Sequence, residues 1–253
     1  MTTLVHAELI KLRSTRMTAM LLAATLGLVM LTIATSVPGV FGETGLLSLD
    51  DPRLFAIVVG GGFGVPQVMM ALLGVLAFTQ EFRYGTASST YLSEPRRTRV
   101  LVAKWLSLGV ASVVITVVTL AVSVPFGIAL IRSQGGEVIV GAQLWQTVSA
   151  AFAVMAAYGV IGVALGALVR NQIAGVVGVL VWMLAVEQIV IPVLPEVGRW
   201  MPWGATSSLL QLGPSYGFDG ELLSAPMGGL VLVGYTTAAV VLALRISPGR
   251  DVQ

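Results

Sequence analysis

The sequence predicts an all-α integral membrane protein with six transmembrane helices. Hydrophobic residues make up 56% of the 253-residue chain and charged residues only 10%, and the mean hydropathy is +0.93. Soluble domains carry about 25% charged residues. The apolar residues fall into six long runs, and a run of about 20 residues crosses the hydrocarbon layer as a helix. A water-soluble core of ordinary size cannot bury this much apolar surface, so the bilayer is the expected solvent.

Residues 1–16 are predicted to form an amphipathic helix ahead of the first span. On a helical wheel Val5, Leu9 and Leu12 share one side, whereas Glu8 and the basic residues lie on others. Basic residues in such a helix suit the head-group region of an anionic membrane surface. The alternative is a plain lead-in whose positive charges only fix the topology.

The six predicted spans cover residues 17–37, 55–79, 105–131, 144–169, 173–194 and 227–246. The second span is unusual because its first half is rich in glycine and is followed by Pro66 and Gln67. One interpretation is a bent helix that lines a translocation path, with Gln67 facing polar surroundings. The favoured interpretation is close helix packing through Gly60 and Gly64, which form a GxxxG pair.

The fourth and fifth spans contain further candidate positions. Glycines recur at packing spacing in the fourth span, from Gly159 to Gly166. The fifth span carries Glu187, the only acidic residue well inside an apolar run, followed by Gln188. An ionisable residue inside the membrane is a functional candidate by default. Glu187 is therefore a candidate for binding a cation or cationic substrate or for holding Arg199, and the alternative is a carboxyl group near the outer end of the span that reaches water or is protonated. The side chains of Gln67, Glu187 and Gln188 are candidates for the translocation path.

The segment before the sixth span, residues 195–225, is long but not simply hydrophilic. It contains Trp200 and Trp203 beside several leucines. Tryptophan prefers the membrane–water interface. The segment is therefore predicted to form short interfacial or re-entrant helices in the outer leaflet.

The distribution of basic residues predicts the orientation. Six spans place both termini on one side of the membrane, together with the segment between spans two and three. That side carries eleven basic residues and the other side three. The eleven are Lys11, Arg13, Arg16, Arg83, Arg96, Arg97, Arg99, Lys104, Arg170, Arg245 and Arg250, and the three are Arg53, Arg132 and Arg199. The positive-inside rule therefore places both termini in the cytoplasm.

A polar segment, residues 80–104, connects spans two and three and reads QEFRYGTASSTYLSEPRRTRVLVAK. It holds five of the 14 basic residues of the chain. Its middle, residues 85–92, is long enough for two helical turns and is stopped by Pro95. With Tyr91 and Leu92 as anchors, such a helix is suited to docking in a groove on a partner. The alternative is a solvated loop whose arginines only enforce topology.

This segment resembles the corresponding part of type-2 ABC exporter permeases. The resemblance rests on the order of Glu81, the pair Gly85-Thr86, Pro95, Arg99 and Lys104 at the start of the next span. The N-terminal stretch AELIKLRSTR also looks like the amphipathic lead-in of that family. Six spans, an inward N-terminus and a long outer segment before the last span match its architecture. The glycine-rich half of the second span is a departure from it.

The resemblance implies a coupling helix that binds a separate cytoplasmic ABC ATPase. The residues assigned to coupling in this way are Glu81, Arg83, Gly85, Thr86, Tyr91, Pro95 and Arg99. ATP and Mg²⁺ are expected on the partner, because neither lysine of this chain stands in a G-x-x-x-x-G-K-[ST] phosphate loop. The chain is expected to pair with a second copy or a sister permease in a bacterial cytoplasmic membrane. No catalytic residue and no metal site are predicted on this chain.

Three other classes of protein are alternatives to an exporter permease. An intramembrane enzyme needs clustered His, Glu, Asp or Cys within the membrane, whereas this chain has no cysteine and one histidine, His6, outside the spans. An autonomous secondary transporter is often built of repeats, and residues 1–130 and 131–253 show no clear similarity. A structural or regulatory membrane subunit of the same fold, without transport, stays open. The net charge of +2 does not favour binding of nucleic acid.

Overall fold

The computed structural model describes residues 1–41, 47–212 and 221–247, and within these ranges the chain is helical and has no strand. Six helices are long and apolar enough to cross a membrane. The prediction of an all-α chain with six candidate spans is therefore confirmed, and the chain is a multi-pass membrane protein by its helices. Arg250, which entered the count of basic residues, lies outside the described ranges.

The candidate spans are α2, α3 with α4, α6, α7, α8 with α9, and α12. The helices are α1 (Thr2–Ser14), α2 (Arg16–Ser36), α3 (Leu54–Gly61), α4 (Gly64–Arg83), α5 (Ala87–Ser93), α6 (Arg97–Ser133), α7 (Ala142–Val169), α8 (Gln172–Val181), α9 (Glu187–Val193), α10 (Pro195–Gly198), α11 (Pro202–Leu209) and α12 (Ala225–Ile246). A π-helical turn, Trp182–Val186, joins α8 to α9.

The helix that contains the third predicted span is longer than that span. Helix α6 starts at Arg97 instead of near residue 105 and is 37 residues long. At about 1.5 Å per residue it is longer than the hydrocarbon layer is thick. Hydropathy detects only the apolar part of a helix, whereas the helix itself continues through basic residues whose long side chains reach solvent. Pro125 lies inside α6, as predicted for the outer part of this span.

The second span is divided between α3 and α4, with Gly62 and Phe63 at the break. A Cβ atom at Gly60 would lie 2.9 Å from side-chain atoms of Thr147 and Leu212, and one at Gly64 would lie 2.9 Å from the Trp203 ring. Both glycines therefore permit close packing, as the favoured interpretation predicts.

Helices α4 and α7 form the centre of the bundle. A Cβ atom at Gly74 of α4 would lie 2.6 Å from the backbone of Gly159 and Val163, and one at Gly162 of α7 would collide with the carbonyl oxygen of Ala71. Lipid offers no hydrophobic driving force between helices, so small residues that bring backbones together supply much of the attraction. The predicted packing role of the glycines in the fourth span is confirmed.

In the segment before the last span, the described residues 195–212 contain the short helices α10 and α11, and residues 213–220 lie outside the described ranges. Helix α11 is buried along most of its length and packs on α12. The Thr206 hydroxyl lies 3.4 Å from that of Tyr158 on α7. The position of these helices relative to the membrane surface stays a prediction.

Several elements meet at one end of the bundle, as a six-span topology requires. They are α1, the last turn of α4, α5, the first turns of α6, and residues 170–172 and 247, and we call this region the basic end. The Arg170 guanidinium lies 5.3 Å from the centre of the Phe82 ring and its Nη2 atom donates to the backbone carbonyl of Ser247. The ends of α4, α7 and α12 are thereby held together.

We expect Gly74→Ala to destabilise the bundle, because its new methyl group would press on the α7 backbone. Overpacking of a close contact typically costs about 1–3 kcal/mol. The matched control is Gly109→Ala in α6, where a Cβ atom meets nothing within 4 Å. Thermal unfolding of the purified protein in detergent should show a lower midpoint for Gly74→Ala only. Equal midpoints would contradict the packing role.

Candidate functional site

Four charged side chains form an ion-pair cluster at the basic end: Glu8, Lys11, Glu81 and Lys104. The Lys104 Nζ atom lies 2.7 Å from Glu8 Oε2 and 2.9 Å from Glu81 Oε1. The Lys11 Nζ atom lies 2.7 Å from Glu8 Oε1 and 2.7 Å from Glu81 Oε1. The two lysines are the only ones in the chain. Helices α1, α4 and α6 are thus joined by one charge network.

Three of the four side chains in this ion-pair cluster are buried. Lys104 is fully buried, and Glu8 and Glu81 are only 7% and 6% exposed. Besides the two carboxylates, the Lys104 ammonium donates to the carbonyl oxygen of Ala77 at 2.9 Å, so all three of its hydrogens have acceptors. A buried charge is tolerated only when it is paired and hydrogen-bonded. Undocking of α1 would leave Lys104 with one carboxylate instead of two.

The inward side of α1 contains Glu8 in addition to the three predicted apolar residues, which are half-buried: Val5, Leu9 and Leu12. The helical wheel placed Glu8 off the apolar stripe, yet Glu8 is the buried residue of α1. The physical reason is that Lys104 and Lys11 compensate its charge, which hydrophobic periodicity alone cannot anticipate. The sequence does contain one signal: Lys104 is a lysine with apolar neighbours, and such a residue needs a carboxylate partner. The amphipathic helix is therefore docked on the bundle and is not a plain lead-in.

The ion-pair cluster shifts the pKa values of its N-terminal members. Burial would raise the pKa of Glu8, but the ammonium groups of Lys104 and Lys11 outweigh it and hold this pKa below its ordinary value. Burial would lower the pKa of Lys11, but its hydrogen bonds to Glu8 and Glu81 hold this pKa above its ordinary value. Both groups are therefore charged at neutral pH.

Helix α5 follows the end of α4, which carries the cluster residue Glu81. Gly85 adopts φ +67°, a conformation that favours glycine, and it turns the chain out of α4. The Thr86 amide then donates to the Glu81 carbonyl oxygen at 2.9 Å. Helix α5 covers Ala87–Ser93, close to the predicted 85–92, and ends before Pro95. Glu81 is thus fixed twice, by its side chain to the lysines and by its backbone to the start of α5.

The outer surface of α5 combines apolar and basic side chains. Leu92 is 83% exposed. Tyr91 is half-buried and lies 5.4 Å below the Arg97 guanidinium, measured to the ring centre. Arg99 pairs with Glu94 at 3.4 Å. Among the residues assigned to coupling, Arg83, Gly85, Thr86, Pro95 and Arg99 are exposed, whereas Glu81 is buried and cannot meet a partner directly.

A groove of about 630 Å³ separates α5 from the N-terminal elements. Its walls come from the end of α1 and the start of α2 on one side, and from α4 and α5 on the other. Lys11 and Glu81 lie at its base, and Ser89 and Thr90 of α5 form part of its rim. The groove offers a partner a concave surface next to the exposed face of α5.

The three predicted path residues differ in their burial and partners. Gln67 on α4 is fully buried, and within the described ranges neither polar atom of its amide has a hydrogen-bond partner. Glu187 is fully buried, and its Oε1 atom accepts a hydrogen bond from Trp182 Nε1 at 3.0 Å. Gln188 is exposed. The side chain of Arg199 pairs with Glu196 and not with Glu187, so the predicted alternative role of Glu187 in holding it is wrong.

Comparisons with known proteins give no assignment. No protein-family model matches the chain, and no curated protein matches it significantly.

We expect Lys104→Met to be strongly destabilising, because it removes a buried cation from two buried carboxylates. Breaking a buried pair costs about 3–5 kcal/mol. The matched control is Arg99→Met, which breaks the exposed pair with Glu94 and is expected to cost under about 1 kcal/mol. Denaturant unfolding of both purified variants measures the difference. Similar losses for the two variants would contradict the importance of the ion-pair cluster.

The docking of α1 should depend on pH at both ends of the scale. The folded pKa of Glu8 is lowered from about 4.5, so its stabilisation is present above that value and is lost as the pH falls through the folded pKa. The folded pKa of Lys11 is raised from about 10.5, so its stabilisation is lost as the pH rises through the folded pKa.

A spin label at Ile10→Cys, on the exposed side of α1, reports this docking because the chain has no other cysteine. Its mobility should stay low between about pH 4.5 and 10.5 and rise outside that window. A label at Leu28→Cys, exposed on α2, controls for general effects of pH. Constant mobility of the α1 label from acid to alkaline pH would contradict the prediction.

Proposed function

We propose that the chain is the membrane permease subunit of an ATP-driven ABC exporter. In this proposal it forms a translocation path as a dimer, with a second copy or a sister permease, and couples to a separate cytoplasmic ABC ATPase. The observation that supports it best is the exposed helix α5, which closely follows Glu81, a member of the buried ion-pair cluster that joins α1, α4 and α6.

The arrangement suits the transmission of movement. A partner that presses on Leu92 and Tyr91 acts on a helix that directly follows Thr86, whose amide donates to the Glu81 carbonyl oxygen. Glu81 is in turn paired with Lys11 on α1 and Lys104 on α6. A displacement of α5 therefore reaches three helices through short charged contacts, which are costly to break because they are buried.

The basic end is proposed to face the cytoplasm of a bacterial cell. It carries most of the basic residues, and cytoplasmic segments of membrane proteins are enriched in Lys and Arg. Nucleotide chemistry belongs to the partner, since the sequence has no phosphate loop of the G-x-x-x-x-G-K-[ST] type. Helices α2 and α12 leave most of their apolar residues exposed in the single chain, which gives lipid or a second permease a surface to contact.

A structural or regulatory membrane subunit is the second candidate. It is favoured by the tight contact of α4 with α7, which encloses Gln67 inside the single chain and leaves it away from any open path. The two candidates share the docking of an ATPase or another cytoplasmic partner at the basic end and differ in whether cargo moves. An intramembrane enzyme stays the least favoured alternative, because it needs several catalytic groups beside Glu187.

The exporter proposal is tested by purifying the tagged chain from membranes of its native host in mild detergent. We expect it to retain a subunit that carries a phosphate loop and to hydrolyse ATP. The double variant Tyr91→Ala/Leu92→Ser should reduce the retained ATPase at least about tenfold, since anchors of this kind dominate binding energy. Ile139→Ser, an exposed apolar residue at the opposite end, is the control.

Two outcomes would contradict this proposal. One is retention of the ATPase by the α5 variant at the level of the control. The other is transport by the isolated chain in vesicles on an ion gradient alone. A retained ATPase without any transport would favour the structural or regulatory subunit.

A further inference from the structure

A lateral groove of about 480 Å³ lies within the membrane-spanning part of the bundle, between α7, α8 and α12. Small residues create it, among them Gly178 on α8 and Ala238 and Ala239 on α12. The walls are almost entirely apolar, with Leu165 and Leu242 among them. Its volume falls in the range of about 300–1,000 Å³ that is usual for small-molecule sites.

Three aromatic residues, Tyr158, Trp182 and Tyr235, line this groove from three different helices or turns. Trp182 stands in the π-helical turn, and its indole N–H donates to Glu187 Oε1 at 3.0 Å. Glu187 is also within electrostatic range of the phenol groups of Tyr158 and Tyr235. The carboxyl group therefore lies behind the aromatic residues that line the groove.

Glu187 has acceptor capacity that the described residues leave unused. The residue is fully buried, the backbone N–H of Trp203 interacts with its carboxyl group, and its Oε2 atom has no hydrogen bond of ordinary geometry among the described residues. The nearest candidate cation along the chain, Arg199, pairs with Glu196 instead. A carboxylate at membrane depth is costly unless positive charge or hydrogen bonds compensate it. The faces of Tyr and Trp rings also attract cations.

We propose that this groove binds an amphipathic organic cation. Its apolar part occupies the space beside Gly178, and its positive centre lies among the rings of Tyr158, Trp182 and Tyr235, with the negative charge of Glu187 behind Trp182. This inference rests on the proposed function, because such a ligand is cargo only if the chain transports. A lipid acyl chain or a helix of a second copy would fill the same space but would leave the carboxylate uncompensated.

The test uses two probes of the same shape and opposite charge, tetraphenylphosphonium and tetraphenylborate. Equilibrium dialysis of the purified chain in neutral detergent should show tighter binding of the cation. Glu187→Gln keeps an acceptor for Trp182 and removes only the charge. It should weaken cation binding about tenfold or more, where tenfold corresponds to 1.4 kcal/mol, and abolish the preference for the cation.

A second pair of variants tests whether the cation binds in this groove. A Cβ atom at Gly178 meets nothing within 4 Å, so Gly178→Phe has room to fill part of the groove without a backbone clash, and it should reduce binding of the cation. Gly27→Phe on α2 also enters open space but is remote from the groove, so it should leave binding unchanged. Equal thermal stability of the variants ensures that a loss of binding is local.

Equal binding of the two probes by the unmodified chain would overturn the inference and would fit a groove filled by lipid or a second copy. So would a Glu187→Gln variant that keeps the preference, or a Gly178→Phe variant that binds normally. Because the measurement needs no ATPase, its result is separate from the retention experiment at α5. Selective cation binding without ATPase retention would overturn the exporter proposal and leave the ligand site standing.

Discussion

The pairing of Lys104 with Glu8 and Glu81 is the interaction on which the basic end of the molecule depends. Lys104 is fully buried and reaches two carboxylates on two other helices. Removal of any one partner leaves charge in a region with little water, so the three helices are expected to dock together or not at all. Lys11, whose side chain is partly exposed to solvent, pairs with the same two carboxylates. This network makes the N-terminal helix part of the bundle and gives α5 a fixed base.

The membrane-spanning part is held by a different interaction. Lipid tails are as apolar as leucine, so burial of apolar surface does not favour one helix pair over another there. Close backbone contact takes its place, as at Gly74 and Gly162 between α4 and α7. The chain thus combines glycine-mediated packing within the spans with charge pairing at one end. Helix α4 takes part in both interactions, because it carries both Gly74 and Glu81.

The sequence predicts the six spans and the short helix between the second and third, because hydropathy and helix-breaking residues report local properties of the chain. It does not predict the inward direction of Glu8, which depends on Lys104, a residue distant in sequence. Hydropathy also does not detect the start of α6 at Arg97, because a helical turn with charged residues has the same low hydropathy as a loop. The aromatic residues that line the groove near Glu187 are brought together by the π-helical turn and by the packing of α12. Neither feature produces a periodic pattern in the sequence.

The central claim is that α1 and α5 move as one body, because α1 is paired with Glu81 in the ion-pair cluster and the Glu81 carbonyl oxygen accepts from Thr86 directly before α5. It is tested most directly by the distance between spin labels at Ile10→Cys on α1 and Ser88→Cys on α5, measured by pulsed electron resonance in the complex with the proposed ATPase. The account predicts one narrow distance distribution that is unchanged between the nucleotide-free and ATP-trapped states. A distance that changes with nucleotide, or a broad distribution in either state, would contradict it.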